Sequence, residues 1–160
     1  MAFYSNPQFL TSINQGGPLV RQYKEANSQT FKAGQPVYLN SSGDSLTAVA
    51  SDGQVLLGFA KKDATNVSSG NAFITVEVVR PGDEYEIDVY TGGATDAATT
   101  AMLGQNFAFD VTSNSAKIDL NDTGHDVMTL QRILNDDATK VAVTFLASCL
   151  QYNVGYSVAP

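Results

Sequence analysis

Apolar and polar residues alternate along much of the chain, and Gly, Ser, Asn and Asp separate the alternating segments. The clearest case is residues 84–90, where Tyr85, Ile87 and Val89 alternate with acidic residues. This alternation is typical of a strand with one buried face and one solvent face. Residues 72–80 instead form a β-branched run that predicts a central strand. The pattern predicts further strands in this half of the chain at residues 19–23, 35–39, 46–50 and 55–60.

The second half continues the pattern. Residues 91–104 have little charge and predict a loop with one helical turn near 95–102. The composition of residues 127–134 also suits a helix, but the turn-like residues 135–137 and the strand after them favour a hairpin. Predicted strands lie at 107–111, 117–120, 127–134 and 140–150. Many short strands without a long amphipathic helix predict an all-β fold.

The expected architecture is a small antiparallel β-barrel or sandwich with an extended N-terminal arm. Pro81 and Gly82 end the central strand and mark a possible boundary between two β subdomains. The predicted organisation is an arm at residues 1–16, a β-rich subdomain at 17–80 and a barrel-like subdomain at 81–160. Within the first subdomain, Asp52–Gly53 predicts a two-residue hairpin turn with Gly53 at positive φ.

The arm contains apolar residues outside the alternating pattern, followed by a Gly16–Gly17–Pro18 break. An arm of this kind docks on its own fold or on a neighbour. We expect it to be ordered only by contact with a neighbouring subunit or partner, so that its deletion spares folding. The predicted contact residues are Phe3, Tyr4, Phe9, Leu10 and Ile13.

Charge and composition limit the choice of partners. The net charge is −7, and the nine Lys and Arg residues are scattered, so no basic stripe is available for direct binding of nucleic acid. Charged residues make up only 16% of the chain, which suits a surface that partners cover. The N-terminus lacks the features of a secretory signal and no apolar run is long enough to cross a bilayer, so we expect a soluble protein made in the cytoplasm.

Candidate catalytic and metal-binding residues are few. His125 is the only histidine and Cys149 the only cysteine, so neither a zinc site nor a disulfide is expected. We interpret His125 as a turn residue and Cys149 as a small buried core residue. No phosphate-binding glycine pattern is present, and no cofactor is expected.

Two acidic segments remain as candidates, one for a metal site and one for a catalytic site. Residues 119–126 (DLNDTGHD) echo the start of a calcium loop at Asp119, Asn121 and Gly124, but Leu130 occupies the position of the bidentate glutamate. We therefore favour a polar hairpin turn, with a surface cation as the alternative. Asp83, Glu84, Glu86 and Asp88 contain enough carboxylates for a glycosidase pair, yet alternation places the last three on an exposed face without a cleft. The chain is predicted not to be an enzyme.

Two parts of the chain resemble small bacteriophage capsid decoration proteins, which are also called cement or head-stabilising proteins. The first part has residues 33–39 (AGQPVYL), Asp52–Gly53, residues 55–60 (VLLGFA) and Gly70 in the order found in β-rich decoration proteins. The second part begins at Pro81 and includes residues 107–111, 118–120 and 141–145. It is similar to the closed β-unit of phage capsid-stabilising proteins.

The resemblance implies a virion protein on the outer capsid surface. Such a protein binds the major capsid protein, often as a homotrimer, and clamps neighbouring capsomers against the pressure of the packaged DNA. It needs no cofactor, and its terminal arm contacts adjacent subunits.

Two alternative functions remain open at the level of the sequence. One is a phage tail or neck component, since β-barrels also form tubes and adaptors. The other is a carbohydrate-binding β module, for which Tyr85 and Tyr90 would have to form a solvent-facing platform in a chain without Trp.

Overall fold

The computed structural model describes residues 4–14, 16–40, 46–66, 68 and 72–151. With 44% strand and 5% helix, it confirms the all-β prediction, and its two antiparallel sheets form a sandwich-like arrangement. The strands are β1 (Gln8–Ser12), β2 (Leu19–Lys24), β3 (Pro36–Leu39), β4 (Leu46–Ala48), β5 (Gly58–Ala60), β6 (Phe73–Val78), β7 (Asp83–Asp88), β8 (Asn106–Thr112), β9 (Ser115–Asp119), β10 (Met128–Ile133) and β11 (Lys140–Phe145). Two short 3₁₀ turns, Thr100–Met102 and Ala147–Cys149, provide the helical content.

The five-stranded sheet comes from the first half of the chain, in the order β2-β6-β5-β3-β4. Strand β6 is central, as its β-branched composition predicts. Alternate residues Ile74, Val76 and Val78 point into a core that this sheet encloses with Phe31. A single parallel bridge between Glu25 and Leu46 joins the end of β2 to β4, so the sheet curls around that core.

The six-stranded sheet has the order β1-β7-β11-β10-β8-β9. Tyr85 and Ile87 of β7 are buried, as the alternation predicts. Ser113 and Asn114 both have positive φ in the turn between β8 and β9, which suits the twist of a tight hairpin. Residues 128–145 form the predicted β10–β11 hairpin and not a helix.

The described residues form two hydrophobic cores, and the larger one joins the two sheets. The larger cluster of buried side chains is built mainly on the six-stranded sheet, but it includes Val49, Leu56, Phe59 and Val79 from the first half of the chain. Phe59 contacts both Tyr85 and Phe145, with ring centroids 5.1 and 5.8 Å apart. Packing across the sheets therefore holds them together.

The Asp52–Gly53 turn does not close a hairpin. Strand β3 pairs with both β4 and β5, so the 49–57 connection crosses from one side of β3 to the other. Asp52, and not Gly53, has positive φ (62°). The predicted hairpin was wrong because this connection is fixed by the other sheet: Asp52 N–H donates to the carbonyl of Phe109 (3.2 Å).

Replacement of Gly53 by valine is still expected to destabilise the fold, but for a steric reason. A Cβ at Gly53 would lie 2.7 Å from Val49 Cγ1 and 3.0 Å from the carbonyl oxygen of Ala50. We expect a loss of about 1–3 kcal/mol in the free energy of unfolding, the usual cost of overpacking. Urea unfolding measures it, and Asp52→Gly is the control, because glycine accepts the positive φ there. A G53V protein as stable as wild type would show that residue 53 does not lie this close to Val49 and Ala50.

The C-terminal end of the described chain is attached to the first half. Gln151 Nε2 donates to the carbonyl of Leu39 (2.9 Å), and its Oε1 accepts from Leu39 N–H (2.6 Å). Leu56 N–H donates to the carbonyl of Cys149, and Leu56 in turn accepts from Gln151 N–H, both at 2.9 Å. The chain also passes from one sheet to the other between β1 and β2 and again at residues 79–82, between β6 and β7.

Candidate functional site

The N-terminal arm lies along the six-stranded sheet of its own chain. Strand β1 pairs with β7 in an antiparallel register, with a bulge between Phe9 and Thr11. The Phe9 ring packs edge-on against buried Tyr85, with the centroids 5.6 Å apart. Because the fold itself supplies these contacts, the expectation that the arm is ordered only by a neighbouring molecule is wrong for residues 4–14.

The residues before β1 attach the arm to a second strand. Ser5 N–H donates to Ser115 Oγ (2.9 Å), and Ser5 C=O accepts from Ala116 N–H (2.9 Å). Asn6 Oδ1 also accepts from Ala116 N–H (3.0 Å), and Asn6 is buried. These contacts place Ser5 and Asn6 against the outer edge of β9.

A buried carboxylate holds the other end of the arm. Asp83 is fully buried and accepts bonds from Arg80 N–H (3.1 Å) and Arg80 Nε–H (3.0 Å). It also accepts from Ser12 Oγ–H and from Asn14 Nδ2–H (3.4 Å). Arg80 Nη2–H donates to the carbonyl of Gly17 (3.0 Å). The arm and the start of β2 therefore meet at this one ion pair.

The five predicted contact residues differ in their exposure to solvent. Phe3 lies outside the described residues, and Phe9 is half-buried against the protein's own core. Tyr4, Leu10 and Ile13 are exposed, and 81% of Ile13 is accessible to solvent. These three side chains are available to a partner, and Phe9 is largely not.

Two further exposed apolar residues lie on the five-stranded sheet, where the sequence pattern did not reveal them. In the β2–β6 register Val20 is opposite Glu77 and Lys24 is opposite Phe73, so alternation puts Val20 and Phe73 on one face. Both are about half exposed. We use the term apolar surface for these exposed residues taken together, three on the arm and two on the five-stranded sheet: Tyr4, Leu10, Ile13, Val20 and Phe73. No periodicity marks Val20 or Phe73 as exposed, because both lie in strands whose apolar residues are expected to face the core.

Charge is distributed very unequally along the chain. Residues 1–80 contain six Lys and Arg against five Asp and Glu, whereas residues 81–160 contain three against eleven. Among the described residues, Val55 and Leu103 are the large exposed apolar side chains outside the apolar surface, and only Leu103 lies in the acidic half. Exposed apolar area and negative charge therefore occupy different parts of the sequence.

The acidic face of β7 is largely neutralised. Arg132 pairs with Glu84, and Lys140 Nζ lies 2.9 Å from Glu86 and 3.3 Å from Asp88. Hydrogen bonds to these two carboxylates raise the pKa of Lys140. A shallow cleft of about 180 Å³ does lie beside Glu86 and Asp88, contrary to the expectation from sequence, and the arm forms one of its walls. Lys140 stands between the two carboxylates of this cleft.

Tyr85 cannot form part of a sugar-binding platform, because it is fully buried. Burial, and then the charge of Glu77, raise the pKa of its hydroxyl. A cleft of about 260 Å³ opens beside Phe9, Phe59 and Glu77, where the arm meets the five-stranded sheet. Lys61 Nζ pairs with Glu77 (3.0 Å) in that cleft, so the two charges of its lining neutralise each other.

The structure also places the remaining candidates. Cys149 is buried, burial raises the pKa of its thiol, and its Sγ–H donates to the carbonyl of Asp126 (3.5 Å). Asp119 Oδ1 accepts from Asn121 N–H (2.9 Å), as expected of a polar turn. The turn does not close the predicted hairpin, because β9 and β10 lie on opposite sides of β8. His125 is exposed, and a hydrogen bond to Asp122 raises its pKa and lowers that of Asp122.

No protein-family model matches the chain, and no curated protein sequence matches it. In the described part of the chain, no helix is long and apolar enough to cross a membrane.

Proposed function

We propose that this protein is a non-enzymatic structural protein of a phage virion, which decorates the outside of an icosahedral head and stabilises it by bridging capsid subunits. The observation that carries the proposal is that exposed apolar side chains project from an arm that the fold itself holds in place: Ile13 is 81% exposed, and its strand pairs with β7. The apolar surface is the part that gains free energy when it leaves water.

The geometry of the arm supports this proposal. Burial of Asp83 and the pairing of β1 with β7 fix the backbone from which Leu10 and Ile13 project. A fixed backbone loses little conformational entropy when a partner binds, so more of the contact free energy appears as affinity. Leu10 lies at the bulge of β1, and bulges protect edge strands from uncontrolled pairing.

The chemistry of the site supports a binding role over a catalytic one. The carboxylates of β7 are paired with Arg132 and Lys140, and Cys149 is buried with a raised thiol pKa. The proposed partners are the major capsid protein and further copies of this chain in a homotrimer. Direct contact with nucleic acid is not part of the proposal, because the net charge is −7.

Attachment is expected to depend on the apolar surface. Ile13→Asp should weaken binding to isolated heads at least tenfold while leaving the thermal melt of the free protein unchanged, because Ile13 is mostly exposed. Leu103→Asp, which changes an exposed apolar residue of the acidic half, is the matched control and should bind like wild type. The measurement is cosedimentation of purified protein with heads from which it has been removed.

The same particles test stabilisation. Wild-type protein added back across a salt series should rebind even at high ionic strength, since exposed charge pairs are screened and apolar contacts are not. Full occupancy should raise the temperature of genome release. An unchanged release temperature at full occupancy would contradict the stabilising role, and binding to tails but not to heads would favour the tail or neck alternative.

A further inference from the structure

Three metal-ligating side chains from distant parts of the sequence meet where the two sheets join. Asp52 lies in the 49–57 connection of the five-stranded sheet, and Asp122 and His125 lie in the loop between β9 and β10. His125 Nδ1 is 2.8 Å from Asp122 Oδ2 and 4.0 Å from Asp52 Oδ1. The ligand atoms of all three lie within 4.8 Å of one another, a spacing that no other such group in the described residues has.

The backbone holds these side chains in position. Asp122 Oδ1 accepts from the N–H groups of Gly124 (2.8 Å) and His125 (3.2 Å), which leaves Oδ2 facing the imidazole. The connection that carries Asp52 is bound to β8, where Ser51 Oγ accepts from Val111 N–H (2.8 Å). The connection from the five-stranded sheet and the β9–β10 loop of the six-stranded sheet are therefore both held beside β8 before any ligand arrives.

The two carboxylates also lack compensation by a fixed cation. In the part of the chain that the structure describes, the ion pairs of Asp52 and Asp122 involve only His125 and no Lys or Arg. A neutral imidazole leaves two adjacent negative charges. A divalent cation would neutralise both, whereas the imidazolium neutralises one.

We propose that Asp52, Asp122 and His125 bind a divalent first-row transition-metal cation, such as Zn²⁺ or Mn²⁺, and that the ion cross-links the two sheets. Imidazole nitrogen combined with carboxylate oxygen suits these metals, whereas Ca²⁺ takes six to eight oxygen ligands. Tetrahedral ligands with bonds of about 2.0–2.2 Å lie roughly 3.3–3.6 Å apart. The exposed Asp52 carboxylate therefore has to approach by about 1 Å, and the 2.8 Å contact between His125 and Asp122 has to open slightly. Water completes the coordination.

The single histidine makes the site directly observable. Zn²⁺ added to the chelator-treated protein should shift the imidazole proton resonances, which in this chain can only come from His125. Zn²⁺ at about a hundredfold excess over its Kd should raise the Tm by at least ~5 °C. Ca²⁺ at the same concentration should leave both the resonances and the Tm unchanged. Unshifted imidazole resonances with Zn²⁺ would overturn the proposal and leave the cluster as an ion pair only.

Substitutions test whether Asp52 and His125 are both ligands of the ion, as a cross-link between the sheets requires. Asp52→Asn removes one charged ligand, and asparagine tolerates the positive φ at this position, so the variant should fold. It should reduce Zn²⁺ affinity at least tenfold, as should His125→Gln, while Asp136→Asn in the β10–β11 turn should bind like wild type. A D52N protein with wild-type affinity would show that Asp52 is no ligand and would refute the cross-link. This inference does not depend on the proposed function.

Discussion

Gly58→Ala is expected to destabilise the protein by about 3 kcal/mol or more, although it adds only one methyl group. Gly58 lies in β5 directly against the central strand β6. A Cβ at this position would lie 2.0 Å from the carbonyl oxygen of Glu77 and 2.9 Å from Val78 Cα. Both obstacles are backbone atoms, so no side-chain rotation relieves the clash. Strand β5 has to move away from β6, which disturbs the core on one side and the junction with Phe59 on the other.

The measurement is equilibrium unfolding in urea, with the slope of the transition as a check that both proteins unfold from a comparable native state. Gly17→Ala is the matched control: nothing lies within 4 Å of a Cβ there and its φ is not positive. It should change the free energy of unfolding by no more than about 0.5 kcal/mol. A G58A protein as stable as G17A would mean that the two strands do not approach as closely as described.

Asp83→Ala is expected to cost about 3–5 kcal/mol, the usual penalty for removing one partner of a buried ion pair. The substitution leaves the largely buried Arg80 guanidinium without its carboxylate. It also removes the acceptor for Ser12 and Asn14, so the arm should detach from β7 before the rest of the protein unfolds. Calorimetry measures the loss of stability, and limited proteolysis within residues 4–14 measures the release of the arm.

Asp110→Ala is the control for Asp83, because the Asp110 carboxylate bonds only to the nearby Thr112 hydroxyl among the described contacts. It should lower stability by about 0.5 kcal/mol or less and leave the arm protected. If D83A lost stability but kept a protected arm, β1 would be held by its backbone pairing alone.

The alternation of residues 84–90 and the β-branched run of residues 72–80 were sufficient to predict β7 and β6, because each strand's local pattern agrees with its burial. The arm was predicted less well. Its docking depends on Asp83, 71 residues after Ser12, and no local pattern reveals that a carboxylate so far away is buried. The Asp52–Gly53 prediction failed for a similar reason, because contacts with β8 outweighed the hairpin preference of the dipeptide.

The candidate sites could likewise be predicted only where local sequence determines exposure, and not where contacts between distant residues do. The exposure of Tyr4, Leu10 and Ile13 agrees with their position outside the alternating pattern, whereas Phe9 in the same segment packs inward because it faces Tyr85. The cluster at His125 could not be predicted from sequence. Asp52 is far from Asp122 along the chain, and the calcium-like spacing of residues 119–126 directed attention to Asp119, which its own turn occupies.

The hydrogen bonds between Leu39 and Gln151 have a consequence for the order of events during synthesis. The two residues are 112 positions apart, so at about 5–20 residues per second β3 leaves the ribosome roughly 6–20 s before its partner exists. Ser12 likewise waits for Asp83. Each half of the nascent chain therefore lacks hydrogen-bond partners that lie in the other half, and neither half can complete its fold by itself. We expect folding to be completed only once residue 151 has been synthesised, in one late cooperative step, at the slow rates of proteins dominated by non-local β pairing.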